Sequence, residues 1–229
     1  MLLKTAAQRQ KLTEELRQAY NLKIIRTANA GVLINTDGVS ILLDGVCKRV
    51  ECYAETPEII KKELMDSFPD VVAFTHMHAY HYDENYAEAY KKTTLRPVSG
   101  PEGCFSENYN GICLRTLPTR HIGKADISHV SFIIEGSKCI WFMGDASPLE
   151  WRNKDNLPKP DVMIVPFAYA NTEATWKMTK SFGAKDIIIL HLPDRNNDIY
   201  GLWKAVEKVV QNDLSVHIPE IGETIILNQ

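Results

Sequence analysis

Two stretches a hundred residues apart, 32–44 and 132–145, are written on one plan. Each is an apolar run, a turn with an acid and a glycine, a second apolar run, and then an aspartate. Thr36-Asp37-Gly38 makes the turn in the first and Glu135-Gly136-Ser137 in the second; the closing residues are Asp44 and Asp145. Glycine takes a positive φ at little cost, so each stretch reads as a hairpin. The plan fits two similar halves, each a sheet carrying helices. It equally fits two ordinary hairpins, because the identities are few. Strands come first and helices are interleaved in both parts of the chain, which favours an α/β fold built as a four-layer αββα sandwich over one doubly wound sheet. A chain of 229 residues fits one domain spanning 1–229.

Further strands are expected at 22–26, 71–74, 112–117, 161–167, 186–190 and 223–227, from short apolar and β-branched runs. Residues 4–20 are polar, with Leu12, Leu16, Ala19 and Tyr20 at helical spacing, and predict an amphipathic N-terminal appendage over 1–20. Thr56-Pro57-Glu58 opens a helix whose buried stripe is Ile59, Ile60, Leu64 and Met65. A second begins after Asp83, a natural N-cap. A third covers 171–183 with Ala174, Met178 and Phe182 inward and Gly183 as its stop. A fourth covers 200–210, buried through Trp203, Val206 and Val210. Residues 97–101 and 103–110 read as turn-rich.

Several function classes are disfavoured by the totals. A net charge of −3 argues against a general nucleic-acid binder. The five cysteines, Cys47, Cys52, Cys104, Cys113 and Cys139, are odd in number and contain no Cys-x-x-Cys pair. They read as buried small residues in a reducing compartment. No segment approaches the ~20 apolar residues needed to cross a bilayer, and no apolar leader is visible. A cytoplasmic protein without membrane contact is the expectation, with self-association into a homo-oligomer left open.

Chemistry enters at Thr75-His76-Met77-His78-Ala79-Tyr80-His81-Tyr82-Asp83. Three of the seven histidines fall within six residues, just past the apolar run 71–74. Loops at strand ends are where open α/β sheets place ligands. Two imidazoles two residues apart beyond a strand tip can turn toward one point, and imidazole is the commonest protein ligand for zinc and its neighbours. An incidental polar cluster would explain one histidine better than it explains three. His76, His121, Asp145 and His191 each follow an apolar strand within a few residues, so four strand ends could meet at one rim. His129, between Ser128 and Ser131, and His217 read as structural or surface histidines.

The run Thr-His-x-His-x-x-His resembles the metal-binding signature of the metallo-β-lactamase superfamily, His-x-His-x-Asp-His. The surroundings are similar too: Leu43-Asp44-Gly45, Phe142-Met143-Gly144-Asp145 and residues 188–191. The likeness runs from about residue 22 to the C-terminus and departs from the family at one place, where Tyr80 occupies the aspartate position. The resemblance implies the αββα sandwich and two metal positions. His76, His78 and His121 would bind the first, Asp145 would bridge, and His81 and His191 would bind the second, which lacks its aspartate. It also implies that Asp44 supports the ligand loop without binding metal. Asp83 stands as either helix cap or substitute ligand, with the cap favoured.

The activity expected is that of a metal-dependent hydrolase of the small lactonase-like kind, using one or two divalent ions, zinc first, with iron or manganese as other options. Asp145, His191 and Tyr80 are its candidate catalytic residues. The substrate would be a small molecule carrying an ester, lactone or phosphoester. Lys48, Arg49, Arg120, Lys124 and Arg195 lie near the ligands in sequence and could select an anionic one, although solvated loop charges explain each equally well. Two rival readings are a mononuclear iron oxygenase of the same fold, since two histidines and a carboxylate suit iron(II), and a degenerate, non-catalytic metal-binding module, for which Tyr80 speaks.

Overall fold

The turn at Asp37-Gly38 has the backbone its sequence demands: φ is 49° at Asp37 and 78° at Gly38, which suits a tight hairpin. It joins β2 (Val32–Thr36) to β3 (Val39–Leu43) in register, with Thr36 opposite Val39 and Ile34 opposite Ile41. The computed structural model describes residues 22–102, 105–123, 126–153 and 156–227. The helix expected over 4–20 lies outside them, as do Cys104 and Lys124.

The first sheet adds β1 (Leu22–Arg26), β4 (Val71–Ala73) and β12 (Thr224–Leu227) in the order β12-β1-β2-β3-β4. The second holds β5 (Ser106–Tyr109), β6 (Ile112–Pro118), β7 (Val130–Glu135), β8 (Cys139–Phe142), β9 (Val162–Pro166), β10 (Asp186–Leu190) and β11 (Val216–His217) in the order β11-β10-β9-β8-β7-β6-β5. The two hairpins noted in the sequence thus lie in different sheets, β2-β3 in one and β7-β8 in the other.

The layers follow from which faces are apolar. Ile24, Ile34 and Ile41 meet Leu114, Phe132, Ile140 and Ile164 between the sheets. Behind the first sheet, Leu42, Val72 and Phe74 pack on α1 (Glu58–Asp66) through Leu64 and on α2 (Glu84–Thr94) through Tyr86, Ala87 and Tyr90. Behind the second, Trp141, Met163, Ile187 and Ile189 pack on α4 (Leu202–Val210) through Trp203, Val206 and Val210. Met178 and Phe182, in and just after α3 (Glu173–Ser181), pack there too. This is the four-layer αββα sandwich. β9 is buried along its whole length, as expected of an inner parallel strand covered on both faces.

Several local expectations need correction. Ile59 is 70% and Met65 39% exposed, so the inner stripe of α1 narrows to Leu64, with Ile60 partly covered. Ala174 faces solvent on α3, and the buried residue is Thr179, whose hydroxyl donates to Tyr169 O and Thr175 O. In both cases a short helix lies across the sheet at an angle that periodicity does not encode. Residues 106–109, read as turn, form edge strand β5, which pairs with β6 despite its polar sequence. Cys47, Cys52, Cys113 and Cys139 are free thiols. Among the described residues no helix is long and apolar enough to cross a membrane.

β8, β9 and β10 run parallel, so the loops after β8 and β10 leave the second sheet at the same edge. The loop after β6 joins them there through a bridge between His121 and Ala146, with Ile122 N–H donating to Asp145 O at 2.8 Å and Ser147 N–H to Arg120 O at 2.7 Å. The histidine loop after β4 meets the same rim, because Val130 N–H donates to Thr75 O at 3.0 Å. Four strand ends therefore converge.

Candidate metal centre

Asp44 organises the histidine loop from below. It is fully buried, and its carboxylate accepts from Thr75 N–H at 2.7 Å, Thr75 O–H at 2.7 Å and His81 Nδ1–H at 2.7 Å. These contacts set tautomers. Because the Thr75 hydroxyl must donate to a carboxylate, its oxygen is left to accept from His76 Nδ1 at 3.0 Å. His76 therefore turns a bare Nε2 inward, and His81, held through Nδ1, also turns its Nε2 inward. His121 reaches the same state differently, donating Nδ1–H to Ile122 O at 2.6 Å.

All three Nε2 atoms face one oxygen. Asp145 Oδ2 lies 3.8 Å from His76 Nε2, 3.4 Å from His81 Nε2 and 3.5 Å from His121 Nε2, while Asp145 Oδ1 lies 3.3 Å from His191 Nε2. Imidazole lone pairs directed at a carboxylate repel unless a cation stands between them. Ligands about 2.1 Å from a tetrahedral ion are themselves about 3.4 Å apart, close to these separations. Among the described residues the Nε2 atoms of His81, His121 and His191 and Oδ1 of Asp145 are buried without hydrogen-bond partners, an arrangement that costs free energy unless a ligand satisfies them. His76, His78 and His121 bring ligand atoms within 4.8 Å of one another, as do His76, His81 and Asp145. The donor set therefore fits one or two divalent ions.

Asp145 is itself held by a chain of hydrogen bonds with one possible direction. Its N–H donates to His129 Nε2 at 2.9 Å, so that nitrogen is bare and His129 Nδ1–H donates to Thr119 Oγ1 at 2.8 Å. Thr119 then donates to Ser131 Oγ at 3.2 Å and Ser131 to Met143 O at 3.0 Å. His129 is structural, supporting the carboxylate rather than joining it. Gly144, at φ 53°, lies against Thr75, whose side chain a Cβ there would meet at 2.5 Å. His191 takes φ 60° and donates its N–H to Asn29 O at 3.2 Å. That left-handed backbone at a β10 terminus is uncommon for histidine and marks a constrained position.

The electrostatics follow from burial and charge. Burial, reinforced by His81, keeps His76 neutral, its pKa far below the usual histidine value. Burial also pushes His129 down to about 3. Burial opposes a charge on His81, but the Asp145 and Asp44 carboxylates outweigh it and push it up to about 10. Burial would raise Asp145, yet His191 and His81 hold it well below the ordinary carboxylate range. In the metal-free protein a proton on His81 thus takes the place of a cation.

A stability profile follows for metal-free protein. His129 and His76 stay neutral in the fold but protonate near pH 6.5 when unfolded, so the unfolded chain binds more protons below that pH and stability falls from about pH 6.5 toward 3. His81 has the opposite sign. Its contribution is full below about pH 6.5 and disappears as the pH rises to about 10. Urea unfolding of chelator-treated protein between pH 4 and 10 should give a maximum near neutrality. A profile flat from pH 7 to 10 would rule out the protonated His81.

The candidate ligands His76, His78, His81, His121, Asp145 and His191 are all at this rim, with Tyr80 beside them. His78 Nδ1 lies 2.9 Å from His76 Nε2 and 2.7 Å from the Tyr80 hydroxyl. The Tyr80 ring sits 5.0 Å from both His78 and His81 and 5.4 Å from His191, so it stands between the two ligand sets with its hydroxyl on His78. Asp83 is the cap of α2, accepting from Tyr86 N–H at 2.9 Å and pairing with Lys61 at 3.3 Å. His217 is elsewhere, 2.9 Å from Asp186 at the far end of β10. Arg195 is committed away from the centre, its guanidinium carbon 3.5 Å over the Trp203 ring and its nitrogens on Glu207 and Glu220. Lys48, Arg49 and Arg120 are exposed.

Three contributors escaped the sequence reading. Arg26 is buried and donates to Ala28 O, Asn29 O and Pro219 O, fixing the turn that holds His191. Its phase in β1, inward with Leu22 and Ile24, was the available signal. Gly31 lets that turn approach Asp44, whose carbonyl a Cβ would meet at 2.2 Å. Tyr53 stands edge-on to His191 at 4.7 Å; no pattern in the sequence marks it.

Residues 24–191 match the family model described as the β-lactamase superfamily domain. No curated protein matches the chain in sequence. Among solved structures, a metallo hydrolase from the hyperthermophilic archaeon Ignicoccus hospitalis is similar, with TM-score 0.66 and 17% identity over 91% of this chain and 99% of that one. An isothiocyanate hydrolase from Delia radicum gut bacteria has TM-score 0.64 and 16% identity over 90% and 100%. A diiron β-hydroxylase from Streptomyces venezuelae has TM-score 0.59 and 10% identity over 92% and 54%. At these identities the likeness is one of fold.

Proposed function

Because the chain belongs to the β-lactamase superfamily, in its metallo-β-lactamase fold, we propose that it is a metal-dependent hydrolase acting on an ester, lactone or phosphoester of a small molecule. The observation that carries this reading is the set of bare imidazole nitrogens turned toward Asp145. His76, His78 and His121 would hold one ion, and His81, His191 and Asp145 a second, with Asp145 reaching both sets. A divalent ion there, zinc by the donor chemistry, with iron or manganese also suited, supplies a Lewis acid and lowers the pKa of a coordinated water to about 7. Thr75 keeps the inward nitrogen of His76 unprotonated, and Asp44, by holding His81 through Nδ1, leaves Nε2 as the nitrogen that would face an ion once its proton is displaced. The Tyr80 hydroxyl, 2.7 Å from His78 Nδ1, lies beside the centre and could turn to hydrogen-bond a leaving oxygen if an ion took that nitrogen. Its pKa is raised, first by burial and then by Asp145, so at neutral pH the hydroxyl keeps its proton.

The test is metal analysis and ester hydrolysis with wild type and His78→Ala. Removing one of three imidazoles leaves too few ligands for the first ion, so the variant should lose about one metal equivalent and its turnover together. A variant retaining both would refute the assignment. Wild type with less than about one equivalent, and no change in melting on chelation, would return the protein to a non-catalytic module.

Tyr80 gives a second expectation. Tyr80→Asp should raise affinity at the second position, since a carboxylate is ionised at neutral pH whereas a phenol must first lose its proton. Tyr80→Phe should leave metal number unchanged and lower turnover alone. Equal titrations for all three proteins would show that the position does not touch metal. The two-histidine, one-carboxylate set of His81, His191 and Asp145 also favours a second reading, an iron oxygenase; iron in protein purified without added metal, with oxygen-dependent turnover, would select it.

A further inference from the structure

The loop over residues 47–56 is closed at its base and fastened at its tip. Cys47 N–H donates to Thr56 Oγ1 at 3.0 Å and Thr56 N–H to Cys47 O at 3.2 Å, while Val50 and Tyr53 pair as a bridge. Its backbone is tied to both ligand loops, Lys48 N–H to Ala79 O at 2.8 Å and Asp194 N–H to Cys52 O at 3.1 Å. The tip residue Glu51 accepts from the Tyr200 hydroxyl at 3.3 Å. The loop therefore presents Tyr53 in a preset position, with its ring 4.7 Å from His191 and 5.7 Å from Tyr80. Phe167 approaches the same His191 ring at 6.1 Å. Tyr53 is only half-buried, and its hydroxyl has no hydrogen-bond partner among the described residues.

We infer that Tyr53 is a substrate-positioning residue which, with Tyr80 and Phe167, forms an aromatic wall beside His191 for a flat, uncharged acyl or aryl group. This rests on the hydrolase reading and narrows its substrates to neutral esters or lactones. Charge supports the choice. Of the cations that could draw an anion, Arg195 is neutralised by Glu207 and Glu220, Lys48, Arg49 and Arg120 are exposed to solvent, and Glu51 places a negative charge near Tyr80. Aromatic faces and edges favour planar groups, and an unpartnered phenol O–H can donate to a carbonyl oxygen.

Binding tests this without turnover. Metal-loaded full-length protein would be titrated by calorimetry with benzamide and with 4-carbamoylbenzoate, which share the amide but differ in charge at the far end of the ring. Benzamide should bind more tightly, Tyr53→Leu should weaken it about fivefold, and Tyr53→Phe should fall between. Glu51→Gln should narrow the gap between the ligands. Tighter binding of the carboxylate, no binding of either ligand, or Tyr53→Phe and a folded Tyr53→Leu that both bind benzamide like wild type would overturn the proposal. Binding through Tyr53 without hydrolysis of any ester would instead sink the hydrolase reading and leave the wall standing.

Discussion

Asp145→Ala is expected to abolish turnover and to strip metal from the second position, with weaker binding at the first. Asp145 lies 3.3–3.8 Å from the Nε2 atoms of four histidines, so it is the only carboxylate among the described residues that reaches both ligand sets. Without it His81 and His191 retain too few donors for a stable site. Even a partner one shell further out typically costs 10–100-fold in affinity or activity, so a loss of more than about a hundredfold is the expectation here. Asp145→Asn separates charge from shape, because it preserves the volume and the N–H to His129 while removing the anion. Both variants should fail alike in metal titration and steady-state assays. Full activity in Asp145→Asn would show that the carboxylate charge does not take part.

Asp44→Ala should cost both stability and metal, although Asp44 touches no inward-facing nitrogen. Three buried donors lose their acceptor: Thr75 N–H, Thr75 O–H and His81 Nδ1–H. Each unsatisfied buried group costs about 1–3 kcal/mol, and relaxation of the loop recovers part of it, so a loss of about 3–5 kcal/mol is expected, as for other broken buried networks. The tautomers of His76 and His81 would also be released, with metal affinity falling about 10–100-fold. Denaturant unfolding of the metal-free protein reads the first effect, and competition against a chelator reads the second. Reduced stability with unchanged metal affinity would mean that Asp44 braces the fold alone and does not set the imidazoles.

Much of the candidate centre was legible because its candidate ligands obey short-range rules. His76, His78 and His81 are spaced along one loop, and Asp145, His121 and His191 each follow an apolar strand whose period is plain. Asp83 was resolved as a cap by the same local chemistry that made it a candidate cap. Where reasoning from spacing failed, the cause was geometry between distant elements. Arg195 follows His191 by four residues, but the chain turns there toward α4 and stacks it on Trp203. The inner stripes of α1 and α3 were misjudged because the angle of a short helix on its sheet decides which residues are covered.

The sequence by itself determined the kind of layers, the strand-end placement of the candidate ligands and the presence of Tyr80 where the resembling signature has an aspartate, since each depends on residue type and on periods of two or 3.6. Only the tertiary structure decided that Asp44 orients His76 through Thr75, that His129 supports Asp145, and that Arg26 and Asn29 hold His191 in a left-handed turn. It alone placed Tyr53 beside His191, 138 positions away in the chain. Such contacts join segments far apart in sequence. Their donors and acceptors are common residue types whose partners are selected by how two sheets pack, and packing leaves no periodic trace in the chain.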